Sequence, residues 1–231
     1  MKTLRMFGMA LVAIIMGVSL SSCNKDENPE NDGDFSNEKK LVKMVCESGD
    51  WQRVYTFNYD DSGRVIKATI DGHTCQIIWG DDAVKIDNGP TITLENGLIQ
   101  RWNDYMTFTY NTSNRFVKWE TNGTTKTAIW DGDKLVSISN YYGGDNILTY
   151  KGTCKKGYFP FYNGSLVDDV TGGWLFSAHP ELIGARSRQL PATETYDNRT
   201  INFTYEFDEE GYISKINEVE EDTYTYTLTW E

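Results

Sequence analysis

Between Leu41 and Lys151, and again from Thr200 to the end, apolar and polar residues alternate with a period of two. That is the signature of half-buried β-strands. Tyr55, Phe57 and Tyr59 share one face while Thr56 and Asn58 share the other. The last segment is cleaner, with Tyr224, Tyr226, Leu228 and Trp230 opposed by Thr223, Thr225, Thr227 and Thr229. Turn signals break the alternation at close intervals, among them Ser48-Gly49-Asp50, Asp71-Gly72, Asn96-Gly97, Asp131-Gly132-Asp133 and Asp208 to Gly211. So few residues between strands leave no room for crossover helices. The pattern predicts an all-β fold: an antiparallel meander of about 13–15 short strands forming a strongly curved sheet or barrel-like shell.

One hairpin is written three times: "YTFNYDDSGRVIKATI" from Tyr55, "MTFTYNTSNRFVKWET" from Met106 and "FTYEFDEEGYISKINE" from Phe203. Asp60, Asn111 and Asp208 occupy the first turn position, where a short acceptor side chain bonds backbone amides further along the turn. Gly63, Asn114 and Gly211 occupy the fourth, which goes left-handed in a turn closed by a glycine bulge. A calcium loop needs further ligands at alternate positions and a distal bidentate acid, and the turn of the middle copy, Asn111 to Asn114, carries no charge. The repeat is therefore a folding unit. Beyond the turn, apolar residues recur three apart (Val65 and Ala68, Phe116 and Trp119, Leu135 and Ile138, Ile213 and Ile216). Three is not the strand period, so each hairpin either turns its two apolar residues to opposite faces, covering both sides of the sheet, or carries a bulge.

The segment from about 153 to 195 lacks the alternation and has possible helical turns around Leu166 to Val170 and Pro180 to Ala185. One irregular, partly helical insertion in a regular meander reads as a cap over a sheet face or opening, or as the functional loop.

The first 22 residues form a processing segment: Lys2 and Arg5, then an apolar run from Met6 to Val18 that is short for a transmembrane helix. Leu20-Ser21-Ser22-Cys23 resembles the lipobox of bacterial lipoproteins, and the resemblance implies cleavage before Cys23 and lipidation of that residue. Several acyl chains make such anchoring effectively permanent. Residues 23–39 hold the lipidated cysteine and an acidic tether, whose stretch "NKDENPENDGDFSNEKK" has six acids and only Phe35 to bury. Asp26 and Glu27 resemble the surface-export signal of Bacteroidetes lipoproteins, implying display on the outer-membrane surface, with the periplasmic face as the alternative. Residues 40–231 then form a single β domain.

The formal charge of −12 becomes −14 once Lys2 and Arg5 leave with the signal. Nucleic-acid binding, which needs a positive footprint, is disfavoured. With Cys23 assigned to lipid, Cys46, Cys75 and Cys154 allow at most one disulfide and read as buried thiols. His73 and Cys75 share a strand face, but only His179 remains elsewhere, so no zinc set is assembled and no cofactor motif appears.

"FNYDDSGRV", Phe57 to Val65, resembles the tyrosine-aspartate repeat of Rhs-type shell proteins, while "YEFDEEGYI" has Phe207 and Tyr212 where that repeat has tyrosine and arginine. So few copies carry over only the hairpin geometry. The mature chain as a whole resembles a Bacteroidetes lipoprotein family of unknown function with a porin-like fold, through its lipobox, acidic tether, the "WDGDKLV" hairpin and the late "SRQLP" stretch. That resemblance implies a curved sheet or barrel and supplies no catalytic residue.

For function, the expectation is a lipid-anchored envelope protein acting as a non-catalytic binding or scaffold module, with membrane contact through Cys23 and a glycan or envelope protein as partner. A membrane-embedded β-barrel is the first rival, but its strands need about 9–11 residues and an aliphatic lipid-facing band, whereas here the apolar face is largely Tyr and Trp. A glycan-active hydrolase is the second, with Asp168 and Asp169 as its acids; Asp60-Asp61 and Asp81-Asp82 are explained as turns. The candidate ligand-binding residues are Trp174, expected to be exposed beside Gly172 and Gly173, together with Asp168, Asp169 and His179. Trp79, Trp119 and Trp130 sit in alternating strands and read as core. A contiguous exposed aromatic patch would favour binding, and full burial a scaffold.

Overall fold

The computed structural model describes residues 38–121, 123–141, 144–160 and 173–231. Its strands are β1 (Leu41–Ser48), β2 (Trp51–Tyr59), β3 (Val65–Ile70), β4 (His73–Trp79), β5 (Ala83–Ile86), β6 (Thr91–Glu95), β7 (Leu98–Trp102) and β8 (Met106–Tyr110). They continue with β9 (Phe116–Thr121), β10 (Thr124–Asp131), β11 (Lys134–Tyr141), β12 (Gly144–Thr153), β13 (Gln189–Tyr196), β14 (Arg199–Phe207), β15 (Ile213–Val219) and β16 (Thr223–Trp230). Among the described residues between β12 and β13 lie one short helix, α1 (Trp174–Ala178), and a 3-10 turn, Pro180–Ile183.

Every strand pairs with its sequence neighbours, and β1 pairs with β16, so the meander closes into an antiparallel barrel of 16 strands. The turns are built as their residues require. The Asp60 carboxylate accepts from the amides of Ser62 and Arg64, Asn111 from those of Ser113 and Arg115, and Asp208 from those of Glu210, Gly211 and Tyr212. Gly63, Asn114 and Gly211 all have positive φ (79°, 58° and 96°).

The three-residue spacing is resolved by bulges. Register shifts fall at Asn58/Tyr59, Thr109/Tyr110, Ile129/Trp130 and Glu206/Phe207. Both members of each apolar pair, such as Val65 and Ala68 or Phe116 and Trp119, therefore point inward and are buried. Of the two alternatives, the bulge is the one found, and the convex wall is largely polar with Ile78, Ile129 and Ile147 also exposed on it. It carries cross-strand hydroxyl pairs, Thr69 with Thr74, Thr149 with Thr193 and Thr195 with Thr200, and exposed Lys43, Glu47, Lys85, Glu95, Glu120 and Glu206.

Strand β13 corrects the boundary of the irregular insertion. Pro191 broke the expected alternation, yet it sits in β13 opposite Tyr150, where the β12–β13 register shifts on either side; a bulge tolerates a residue that has no N–H. The irregular connection spans only 154–188, and with β13 the strand count rises to 16.

A 16-stranded cylinder is too wide for strand side chains alone to fill. Residues 154–160 and 173–188 of the connection between β12 and β13 pack inside the barrel. Phe176 packs edge-on against Trp102 of β7 (5.2 Å), Trp174 against Phe57 of β2 (6.2 Å), Tyr158 against Trp230 of β16 (5.1 Å) and Phe159 against Phe203 of β14 (6.2 Å). Contacts to four strands spread around the circumference make it a plug inside the barrel. Leu175, Phe176, Leu182, Ile183 and Ala185 are all buried.

Candidate functional site

The two ends of the barrel differ in chemistry. At the plugged end, the aromatic residue closing each of seven even-numbered strands sends its polar atom to a carbonyl near the start of the preceding strand. Tyr59 donates to Leu41, Trp79 to Val65, Tyr110 to Ile99, Trp130 to Phe116, Tyr150 to Leu135, Tyr205 to Pro191 and Trp230 to Ile213, over 2.7–2.8 Å. This girdle binds ring faces to the core and ring heteroatoms to backbone, as a buried Tyr or Trp needs. Sequence reasoning missed it, although the recurring aromatic at the end of every second strand was its visible signal.

The plug is tied to the same rim. Arg115 donates to the carbonyls of Gly184 (2.8 Å) and Arg186 (3.0 Å), and lies 5.1 Å from the Trp130 ring centroid. Tyr158 donates to Ala178 O at 3.1 Å. Chain entry is fixed here too. The Glu38 carboxylate accepts from the Gly157 amide (2.7 Å) and pairs with Arg188 (2.5 Å), and the Lys39 amide donates to the Tyr212 hydroxyl (3.0 Å). Residues 38 and 39 thus meet the barrel at its plugged end.

Of the four candidate ligand residues, Trp174 and His179 lie in this plug, and Asp168, Asp169 and the lipidation candidate Cys23 lie outside the described residues. Trp174 is half-buried and packs on the core rather than standing exposed. His179 is buried with its ring 5.1 Å from that of Trp79, and its Nδ1 lies 2.7 Å from a Glu181 carboxylate oxygen. Burial works to raise the Glu181 pKa, but the His179 hydrogen bond and the charges of His179 and Arg186 outweigh it and hold Glu181 below the ordinary carboxylate range. Both candidates serve plug packing. Trp119 is core as expected, and Trp79 and Trp130 pack against it half-buried. No three His, Cys, Asp or Glu side chains gather as a metal set among the described residues.

At the opposite end the concave wall of β16, β1 and β2 is polar and aromatic, and its outermost rings are exposed. Alternation from buried Phe57 places Tyr55, Arg53 and Trp51 on the inner face of β2; alternation from Trp230 and Leu228 places Tyr226 and Tyr224 on that of β16. β1 lies between them, with Cys46 opposite Tyr226 on one side and Arg53 on the other, and Ser48 opposite Trp51. Trp51 is 44% exposed and Tyr224 41%. The Arg53 guanidinium lies 5.4 Å from the Trp51 ring centroid and 3.3 Å from the Asp71 carboxylate, and shares a hydrogen bond with Tyr55. Deeper in the wall, Tyr226 donates to the Glu218 carboxylate (3.0 Å). Burial, and then Glu218, pushes the Cys46 thiol up to about 12. Around the rim Tyr196 donates to Glu220 at 3.3 Å, and Arg199 lies 3.8 Å from the same carboxylate. On the convex side of this lip, Glu47, Ser48, Gly49, Lys215, Thr223, Thr225 and Thr227 line a shallow trough of about 530 Å³.

No family model and no curated protein matches the chain. Among solved structures, a porin-like protein from Bacteroides uniformis ATCC 8492 superposes with a TM-score of 0.60 at 15% identity, over 83% of this chain and 96% of that one. A porin-like protein from Bacteroides vulgatus ATCC 8482 does so with a TM-score of 0.57 at 14% identity, over 84% and 99%. At such identities the likeness is one of fold: this chain has a porin-like β-barrel fold.

Proposed function

We propose that the protein is a lipid-anchored barrel of the bacterial outer envelope that stands on the membrane by its plugged end, mouth outward, and binds a ligand there without catalysing a reaction. The observation that carries this reading is the polarity of the barrel. The chain enters at the plugged rim, clasped through Glu38, while the exposed aromatic wall of Trp51 and Tyr224 lies at the far end. An anchor on Cys23 brings the plugged rim to the lipid, and Asp26 and Glu27 direct the protein to the cell surface.

The convex wall supports contact with water rather than with lipid. Lys43 and Lys85 are exposed on it, and a lysine facing lipid at the bilayer midplane costs about 2–4 kcal/mol. The plug also leaves the lumen unsuited to conduction, so the porin-like fold is used here without a pore.

The test is fractionation of the full chain carrying Cys23→Ser, with impermeant thiol labelling of Asp50→Cys at the mouth and Glu209→Cys at the plugged rim. The variant chain is expected in the soluble fraction without detergent. In the lipidated protein, nitroxide-labelled lipids should quench a probe at position 209 more strongly than one at 50. Retention of the Cys23→Ser chain in membranes, or the reverse order of quenching, would refute the reading.

A further inference from the structure

The mouth wall also narrows the class of ligand, and this step rests on the reading that the mouth is the binding end. We propose that the β16–β1–β2 lip is a stacking platform for a neutral oligosaccharide, with Trp51 and Tyr224 as its two ring faces.

Four observations lead there. First, the rings are exposed without structural need. The five other tryptophans on strands (Trp79, Trp102, Trp119, Trp130 and Trp230) are buried or pack against the core, whereas Trp51 leaves 44% of its surface in water. Second, the ring is preorganised: Arg53 lies 5.4 Å from its centroid and is itself held by Asp71 and Tyr55, while 44% of Trp51 stays in water. Little ordering entropy remains for a ligand to overcome. Third, the spacing suits a chain of flat units. Ser48 opposes Trp51, and continuing the β1–β16 register one step from Glu47 opposite Thr225 puts Ser48 beside Tyr224. The two rings therefore flank a serine across two strand spacings, about 10 Å.

Fourth, the surroundings select the partner. The barrel is closed, so no free strand edge is available for an added peptide strand. The serine between the rings, with Arg53 and Glu218 beside them, denies an amphipathic helix the continuous apolar groove it needs. Asp50, Asp71, Glu220, Glu221 and Asp222 crowd this lip and its adjoining turns, while Arg53 and Arg199 are already paired with Asp71 and Glu220. That balance repels uronic acids, sulfated glycans and phosphates. What fits is a ligand with weakly polar ring faces to stack and hydroxyls to meet Ser48, Asp50 and the guanidinium edge.

The test is titration of the full-length protein with neutral gluco-, galacto- and manno-oligosaccharides, read by calorimetry and tryptophan fluorescence. Polygalacturonate and a lysine-rich peptide serve as charged comparators. At least one neutral sugar should bind saturably, and Trp51→Ala and Tyr224→Ala should each weaken it about tenfold. Both positions are exposed, so melting temperatures should stay within about 2 °C of wild type; Trp51→Phe, which keeps a ring, should retain most of the affinity. Neutral-sugar binding that survives both alanine variants overturns the proposal, as does the absence of any neutral-sugar binding. If a charged comparator binds in a Trp51-dependent way, the mouth remains the binding end and only the sugar assignment falls. If nothing binds, both readings fall together.

Discussion

Gly184 is the position at which the plug can be tested most sharply. It closes the 3-10 turn with φ of 61°, and an added Cβ would sit 1.8 Å from the Asn114 carbonyl oxygen and 2.9 Å from its carbon. That obstacle is backbone in the β8–β9 turn, so no rotamer change relieves it. Left-handed φ costs a non-glycine residue about 1–2 kcal/mol, and forcing a well-packed contact apart costs about 1–3 kcal/mol more. Gly184→Ala should therefore lose about 2–5 kcal/mol, a fall in Tm of roughly 5–15 °C for a domain of this size. Gly132 is the matched control, with φ of 61° and nothing within 4 Å of its Cβ position. Gly132→Ala should show the conformational cost alone. Urea midpoints and thermal melts followed by circular dichroism would give both values. If Gly184→Ala falls within about 0.5 kcal/mol of Gly132→Ala, the plug does not press against the β8–β9 turn and its place inside the barrel is wrong.

Arg115→Met removes donors to two plug carbonyls and the stack on Trp130; it should cost about 2–3 kcal/mol in the same assay, and a loss below 1 kcal/mol would refute its role as a tie. Tyr110→Phe deletes only the hydroxyl that reaches Ile99 O at 2.8 Å, so about 1 kcal/mol is expected. A neutral result would mean that the girdle bonds are dispensable. Burial pushes the Cys46 and Cys154 thiols up to about 12, so alkylation at neutral pH should modify neither in the native protein and both after denaturation; rapid native labelling at either would contradict their burial. Glu181 has a folded pKa below its unfolded one, so its contribution is complete above the unfolded carboxylate pKa and is lost as pH falls through the folded value. Glu181→Gln should flatten the acid limb of stability, where pH falls below the ordinary carboxylate range, and an unchanged limb would show that the His179 and Arg186 contacts do not hold the carboxylate.

Local structure was legible in the sequence wherever one turn fixes its own residues. Asp60, Asn111 and Asp208 act as turn acceptors because a carboxylate or amide oxygen two to four residues upstream is the nearest available partner for those amides, whatever the rest of the chain does. Closure was not legible. The pairing of Leu41 with Trp230 joins segments that each look like any other alternating strand, and nothing in the period of a strand names its distant neighbour. Pro191 hid β13 because its meaning depends on a bulge in β12, which is a tertiary fact. The exposure expected for Trp174 was not legible for a related reason. Trp174 beside two glycines reads as an exposed ring on a loop, but the loop turns inward, since a cylinder of 16 strands leaves a lumen that apolar side chains must fill. Trp51 was passed over because it opens an ordinary strand, and its exposure is set by how far β2 extends beyond the buried level of Phe57.

The plug explains why a fold shared with porin-like proteins bears its distinctive chemistry at a lip rather than along a lumen. Where residues 154–160 and 173–188 fill the barrel, the inner face near their end is committed to packing: Val65, Phe116, Leu135 and Ile213 are all at most 1% exposed there. A substitution at such a site opens a cavity and costs about 2–5 kcal/mol. At the far rim Trp102 and Met106 of β7 and β8 stay buried, but on β16, β1 and β2 the inner face is exposed and carries Trp51, Arg53 and Tyr224. On the proposed reading, stability and recognition are thereby separated along the barrel axis. Changes confined to the mouth should alter what is bound without unfolding the protein, and changes at the girdle should unfold it without altering what the surviving fraction binds.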